Sequence, residues 1–112
     1  MAHDVFISYS SKDKTIADAV LAKLEERGLR CWIASRDIIP GSNWGHAIAK
    51  AIDESRAVVL IFSSEANQSP HVELEAERAV HNKIPIVPFR IEDVEPTDGL
   101  GYFLDRSTGL MR

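Results

Sequence analysis

The sequence predicts an α/β fold, namely a flavodoxin-like doubly wound parallel sheet with helices on both faces. Short runs of β-branched and aromatic residues alternate with longer segments whose apolar residues repeat at helical spacing. Serine, glycine and proline residues stand between these segments, where helix caps and turns are expected. Because strands and helices alternate along the chain, the strands should run parallel and be joined by right-handed crossovers.

Four segments have the character of buried strands, and we expect the sheet order 2-1-3-4-(5). The run AVVLIF is apolar throughout, which suits a central strand that is buried on both faces. The last run contains two prolines, which favour a position toward the edge of the sheet. The predicted strands are 4–8, 29–33, 57–62 and 84–89.

Helices are predicted between the strands. The first begins at Ser10 or Ser11 and ends at Gly28, the second follows the segment RDIIPGSNW (36–44), and the third spans 69–82 with a serine cap and a proline at its first position. The expected inner stripes are Ile16, Ala19, Val20, Leu24 and Arg27 in the first helix, and Trp44, Ile48, Ala51, Ile52 and Ser55 in the second.

The segment after Arg90 predicts an incomplete end of the sheet. Three glycines interrupt any helical run there, so that 102–104 suit a single helical turn and GLMR (109–112) at most starts an edge strand. We therefore expect four strands, with a C-terminal strand and helix that are short or missing. Another copy of the chain, or a further part of a longer protein, should cover the apolar flank, and the isolated chain should associate at high concentration.

Composition narrows the class of protein. The 112 residues are enough for one core, and we expect a single domain over residues 1–112. A net charge of −4 gives no basic face for nucleic acid, and no apolar run approaches the length of a membrane span. The first residues lack the pattern of a secretory signal, and the lone Cys31 lies in an apolar stretch that suits a buried thiol. These features favour a cytoplasmic protein.

In doubly wound sheets ligands bind outside the carboxyl ends of the strands. Here that surface should be formed by Ser8–Ser11, 34–44 and 63–69. It contains neither a Walker nor a Rossmann glycine pattern, nor the nucleophile elbow of a hydrolase, and serines occupy the strand ends where a phosphoacceptor domain needs carboxylates. The histidines show no metal-ligand spacing beyond His71 and Glu75, a pair that is more typical of a plain contact along a helix.

The acidic segment HVELEAER (71–78) is the remaining candidate for chemistry. On a helix, Glu77 points to water, while Glu73 and Glu75 border the apolar stripe near the carboxyl edge of the sheet. Geometry alone favours a simpler interpretation, in which all three are solvated acids near a helix N-terminus.

Taken together, the motifs closely resemble a TIR (Toll/interleukin-1 receptor) domain of the bacterial type. The resemblance covers residues 4–104 and rests on DVFISYSSKDK, CWIASRDIIPGSNW, AIDESRAVVLIFSSEANQSPHVELEAERA and IPIVPFRI, in that order. It implies that 36–44 is the BB loop, which in this family borders a nucleotide pocket and makes contacts between domains.

The resemblance also implies an activity, because many bacterial TIR domains cleave NAD+. Laid on the family pattern, His71-Val72-Glu73-Leu74-Glu75 puts the catalytic glutamate at Glu75, with His71 where tryptophan is commoner. NAD+ would be the substrate and no cofactor or metal is implied. A single ionised carboxylate suits this chemistry, since nicotinamide leaves as a neutral molecule and only the ribosyl cation needs stabilising.

Further binding residues are implied by position. Tyr9, Ser10 and Ser11 follow the first strand where family members contact the substrate. Arg36 and Asp37 belong to the loop, where they are equally well explained as a surface ion pair. Trp44 lies where an aromatic ring can stack on a base, although its place in the helical stripe makes core packing an equal alternative.

The predicted function is therefore NAD+ cleavage, giving ADP-ribose or a cyclic isomer, in prokaryotic immune or cell-suicide signalling. Expected partners are NAD+ and other TIR domains, with no nucleic acid and no membrane. The alternative is a non-enzymatic module that signals by TIR–TIR assembly through the 36–44 loop, which presents the apolar residues Ile38, Ile39 and Pro40.

Overall fold

The computed structural model describes residues 3–106, which form one parallel sheet with helices on both faces. Its four strands lie in the order β2-β1-β3-β4, as predicted. The strands are β1 (Val5–Ser8), β2 (Cys31–Trp32), β3 (Ala57–Phe62) and β4 (Ile86–Arg90). The helices are α1 (Lys14–Glu26), α2 (Ala34–Asp37), α3 (Trp44–Asp53), α4 (Ser64–Asn67), α5 (Pro70–His81) and α6 (Asp98–Arg106), and a turn of 3-10 helix (Ser11–Asp13) precedes α1.

Strand pairing confirms the topology. β1 pairs in parallel with β2 on one side and β3 on the other, and β3 pairs with β4, which lies at an edge of the described sheet, as the prolines of the run 84–89 predicted. The strand register places Val5 beside Ala57 and Val59 beside Val87. β2 is shorter than the predicted strand 29–33, because only Cys31 and Trp32 enter the ladder.

Each face of the sheet has its own apolar cluster. One cluster packs α3, α5 and α6 against Phe6, Leu60 and Ile86. The other packs α1 against Val5, Ile7 and Ile61. Since side chains alternate along a strand, the two clusters use alternate residues of β1 and β3, and both faces of the central strands are buried.

Helix α1 turns a different stripe inward than predicted. Ala17 and Leu21 are buried and Val20 and Leu24 are partly buried, whereas Ile16 is 38% exposed. The predicted stripe is wrong by about one residue, because the buried centre is a small side chain that lets the helix approach the sheet. Gly28, at φ 88°, ends the helix as expected.

Two segments predicted as loops contain short helices. Ala34–Asp37 forms α2, so that 36–44 begins in a helical turn, and Ser64–Asn67 forms α4 after β3. The Ser63 hydroxyl accepts a hydrogen bond from the Ala66 amide and caps α4. Such single turns leave too few residues for a periodic pattern.

The C-terminal segment forms a helix that the glycines were expected to interrupt. α6 runs over Asp98–Arg106 and includes Gly99 and Gly101. Leu100 is buried, and Phe103 and Leu104 pack against the same cluster. Apolar burial therefore outweighs the helix propensity lost at the two glycines. The predicted strand start at 109–112 lies outside the described residues.

Candidate functional site

A cleft of about 280 Å³ opens at the carboxyl edge of the sheet, beside β1. This is where doubly wound folds place their ligands. The walls of the cleft come from β1, the segment after it, α2, α3 and the start of α5. The lining residues are Phe6, Ile7, Tyr9, Ser10, Ser11, Ala34, Ser35, Trp44, Ile48, Ser69, His71 and Glu75. Six of the eight predicted site residues thus lie together, namely Tyr9, Ser10, Ser11, Trp44, His71 and Glu75.

Glu75 is anchored from the sheet. α5 begins where Ser69 accepts a hydrogen bond from the Val72 amide and Pro70 takes the first position, which brings Glu75 over the end of β1. There the buried Ser8 hydroxyl donates a hydrogen bond to Glu75 Oε1 over 2.7 Å. No other hydrogen bond to this carboxylate is made by residues 3–106.

Burial of the Glu75 side chain raises the pKa of its carboxyl to about 7, and the Ser8 hydrogen bond opposes that shift. We expected an ionised group, stabilised by a helix N-terminus. However, Glu75 lies in the second turn of α5, and the favourable effect of the terminus decays within the first turn. Desolvation therefore dominates, and the pKa of the carboxyl is raised.

The neighbouring glutamates have no such environment. Glu77 is exposed on α5, as predicted, and Glu73 is exposed with its carboxylate beside the first turn of α6. A Cβ atom built on Gly99 would lie only 2.8 Å from Glu73 Oε1. Of the three glutamates in the segment HVELEAER, only Glu75 lines the cleft.

Trp44 belongs to the cleft and not to the core. Its side chain is 62% exposed at the first position of α3, whereas Ala51 and Ile52 further along that helix are buried. Asn43 Oδ1 accepts a hydrogen bond from the His46 amide over 2.9 Å and fixes the start of the helix. The core-packing interpretation of Trp44 is therefore wrong.

Arg36 and Asp37 do not line the cleft. The Arg36 guanidinium donates to Asp37 and to Glu25 Oε1, and Asp37 accepts from the Ile33 amide. This is the ion pair that the sequence left as an alternative, and it ties α2 to α1. A direct role of either residue in binding stays a prediction that the structure does not support.

A second, apolar groove of about 190 Å³ runs between α3 and α5. It shares Ile48, His71 and Glu75 with the cleft, and Leu74 and Arg78 lie along it. Arg78 pairs with Asp53 over 2.6 Å and links the two helices. Glu75 therefore stands between two cavities.

Sequence reasoning placed Ser8 on the expected ligand surface but gave it no role in the site. It ends a strand of apolar residues and looks like a turn serine in the sequence, because its partner is 67 positions away. Only the alternation of β1, which puts Phe6 and Ser8 on the face of α3 and α5, points to it.

Among residues 3–106, no group of three or more histidine, cysteine, aspartate or glutamate side chains is arranged to hold a metal ion. Over the same range, no helix has the length and apolar character needed to cross a membrane.

Comparison with known proteins identifies the family. Residues 5–108 match the sequence profile of the TIR domain, and the chain therefore belongs to that family. The chain is similar over 102 residues, at 31% identity, to the stimulator of interferon genes protein of Magallana gigas, covering 86% of this chain and 25% of that protein.

Two further relatives are named as probable 2′ cyclic ADP-D-ribose synthases. The one from Brachypodium distachyon is 29% identical over 98 residues, covering 86% of this chain and 43% of the relative. The one from Methanobrevibacter olleyae is 29% identical over 105 residues, covering 87% and 31%. The chain thus spans less than half the length of these relatives.

A solved structure agrees on the fold. The TIR domain of the Toll-related receptor TRR-2 from Hydra magnipapillata superimposes with a TM-score of 0.79 at 22% identity, covering 89% of this chain and 79% of that one.

Proposed function

We propose that this TIR domain cleaves NAD+ between the ribose and the nicotinamide, with Glu75 as the catalytic residue. The observation that carries the proposal is the Glu75 carboxylate, held from β1 at the wall of a cleft whose rim includes an exposed tryptophan. The two relatives named as probable cyclic ADP-ribose synthases support it at the level of the family.

The volume of the cleft limits how much of the substrate it can hold. Its volume of about 280 Å³ lies at the low end of ligand pockets, which run from roughly 300 to 1,000 Å³. We infer that it receives the nicotinamide riboside end of the substrate, while the remainder lies outside. Trp44 would stack on a ring, and Tyr9, Ser10 and Ser11 offer hydroxyl groups to the ribose and phosphate oxygens.

The reaction requires the protein to stabilise the positive charge that develops on the ribose. As the C1′–N bond breaks, its electron pair passes to the nicotinamide nitrogen, which becomes neutral and needs no general acid. The positive charge moves to the ribose, where the Glu75 carboxylate stabilises it. Water then adds at C1′ and releases a proton to give ADP-ribose, or a nucleophile of the same molecule, either the adenine base or a ribose hydroxyl, adds and releases its proton to give a cyclic product.

The cationic nicotinamide ring of bound NAD+ would favour the ionised form of Glu75. A positive charge within a few ångströms favours the ionised form of a carboxyl. Binding of NAD+ should therefore lower the pKa of Glu75 from about 7. Because the positive charge passes to the ribose as the C1′–N bond breaks, this effect lasts until a nucleophile adds at C1′.

The test is nicotinamide release from NAD+ at high protein concentration, with mass spectrometry of the products. Glu75→Ala should lower the rate at least about a hundredfold, the scale expected when a group that stabilises transition-state charge is removed. Glu77→Ala, from the exposed face of the same helix, is the matched control and should keep the rate. Equal loss in both variants would reject Glu75 as the catalytic residue.

A second candidate function is assembly with other TIR domains through the 36–44 loop. Ile39 is 72% exposed and Pro40 lies beside it on the surface, whereas Ile38, which was also expected to be presented, packs against the core. The same experiment separates the candidates. If the unmodified chain releases no nicotinamide even when its molecules are held together by fusion to an oligomeric carrier, NAD+ cleavage is rejected and assembly is the function that remains.

The proposed setting is prokaryotic immune or cell-suicide signalling by a cytoplasmic protein, with this chain as its single TIR domain. The Methanobrevibacter olleyae relative supports the prokaryotic context. Consumption of NAD+ in cells that express the chain, compared with the Glu75→Ala variant, is the corresponding measurement.

A further inference from the structure

We propose that Ser8 is the positioning residue for Glu75, holding one carboxylate oxygen against the sheet so that the other faces the substrate. The proposal rests on the proposed function of Glu75. The carrying observation is the 2.7 Å hydrogen bond from Ser8 Oγ to Glu75 Oε1.

The donor is fixed in place. Ser8 is fully buried, and its backbone ends β1, an inner strand of the sheet, where it pairs with Leu60 of β3. The acceptor is on α5, which is packed against the sheet through Val72 and Ala76. A hydrogen bond between two rigid elements restricts the carboxylate to one orientation at little cost in entropy.

The two carboxylate oxygens of Glu75 have different surroundings. Oε1 accepts from Ser8, and no residue of the range 3–106 donates to Oε2. Since no buried side-chain oxygen of the described residues is left unpaired, Oε2 is at least partly accessible, and Glu75 lines both the cleft and the groove. The hydroxyl also favours the charged form, because it donates to the carboxylate and opposes the effect of burial.

Three other titratable or charged side chains lie around Glu75. Tyr9 lies after β1, His71 lies one turn earlier on α5, and Arg78 lies along the groove in a pair with Asp53. Because His71 lines both cavities beside Glu75, His71→Gln is measured in parallel with each Ser8 variant, and the effect of Ser8→Ala should be the same with and without it.

The experiment compares Ser8→Ala with Ser55→Ala. Ser55 is the matched control, because it is equally buried but donates its hydroxyl to the Ala51 carbonyl at the other end of the sheet. Ser8→Ala should lower kcat/KM about tenfold to a hundredfold near pH 6, as expected for a lost hydrogen bond to a charged group. The deficit should shrink as pH rises, because the acidic limb of the profile moves to higher pH. Ser55→Ala should leave the position of that limb unchanged.

Carboxyl carbon NMR gives a readout that does not depend on turnover. The Glu75 resonance, assigned by its loss in Glu75→Gln, should titrate at higher pH in Ser8→Ala than in the unmodified chain. An unshifted titration, or a kcat/KM of Ser8→Ala at pH 6 that equals that of the unmodified chain, overturns the proposal. A shifted titration in a chain that never releases nicotinamide overturns the proposed function, while the hold of Ser8 on Glu75 stands.

Discussion

At the scale of single residues, the charged form of Glu75 that the proposed function needs is the form that destabilises the folded state. The folded state holds a proton on this carboxyl up to a pH of about 7, whereas an exposed glutamate releases it near 4.5. Between these values the native state binds more protons than the unfolded state. Stability therefore falls as pH rises through this window and stays lower above it.

This sign gives a prediction for Glu75→Gln, which removes the charge at every pH. The variant's unfolding free energy should exceed that of the unmodified chain by a margin that is about 2–3 kcal/mol larger at about pH 8 than at about pH 5. Urea unfolding of both proteins at the two pH values measures this increase. Glu77→Gln, on the exposed face of α5, should show almost none, and an equal offset at both pH values for Glu75→Gln would contradict the argument.

The sequence predicted the position of Glu75 beside the cleft but not its environment. The resemblance pointed to this glutamate of the helix, and the carboxyl-edge rule put the helix start beside the cleft that Glu75 lines. Its raised pKa depends on how far the helix sinks toward β1, which no local pattern encodes. The same is true of Ser8, whose partner is distant in sequence, and of Trp44, whose helical spacing suits a core that it does not enter.

At the scale of elements, capped and strongly periodic segments were predicted well. α5 begins at its serine cap and proline as expected, and β3 is central and buried. α6 was missed because helix propensity, which penalises its two glycines, is a weaker force than the burial of Leu100.

The two glycines of α6 should respond differently to alanine. Gly101→Ala should raise the unfolding free energy by about 0.5–1 kcal/mol, because a Cβ there meets only the Pro96 side chain at 3.4 Å and the helix gains propensity. Gly99→Ala should gain less, since its Cβ displaces the Glu73 carboxylate from the first turn of the helix. Urea unfolding of both variants tests the order, and a larger gain for Gly99→Ala would refute it.

At the scale of the whole molecule, the helices cover the two faces of the sheet unequally. α3, α5 and α6 pack on one face, while α1 is the long helix on the other and packs beside β2. Val87 and Phe89 of β4 stand in register with Val59 and Ile61 and therefore lie on the α1 face. They are 42% and 47% exposed.

This surface is the apolar flank that the sequence predicted, and it leads to the expectation of self-association. Burying Val87 and Phe89 against a second copy removes apolar side chains from water, which favours pairing as concentration rises. Light scattering should show a growing mass toward millimolar protein, and the double variant Val87→Lys, Phe89→Lys should stay monomeric. Ile39→Lys, which charges the 36–44 loop on another part of the surface, should still associate. If Ile39→Lys is the variant that stays monomeric, copies meet through the loop instead, and a strict monomer at every concentration would refute association by either surface.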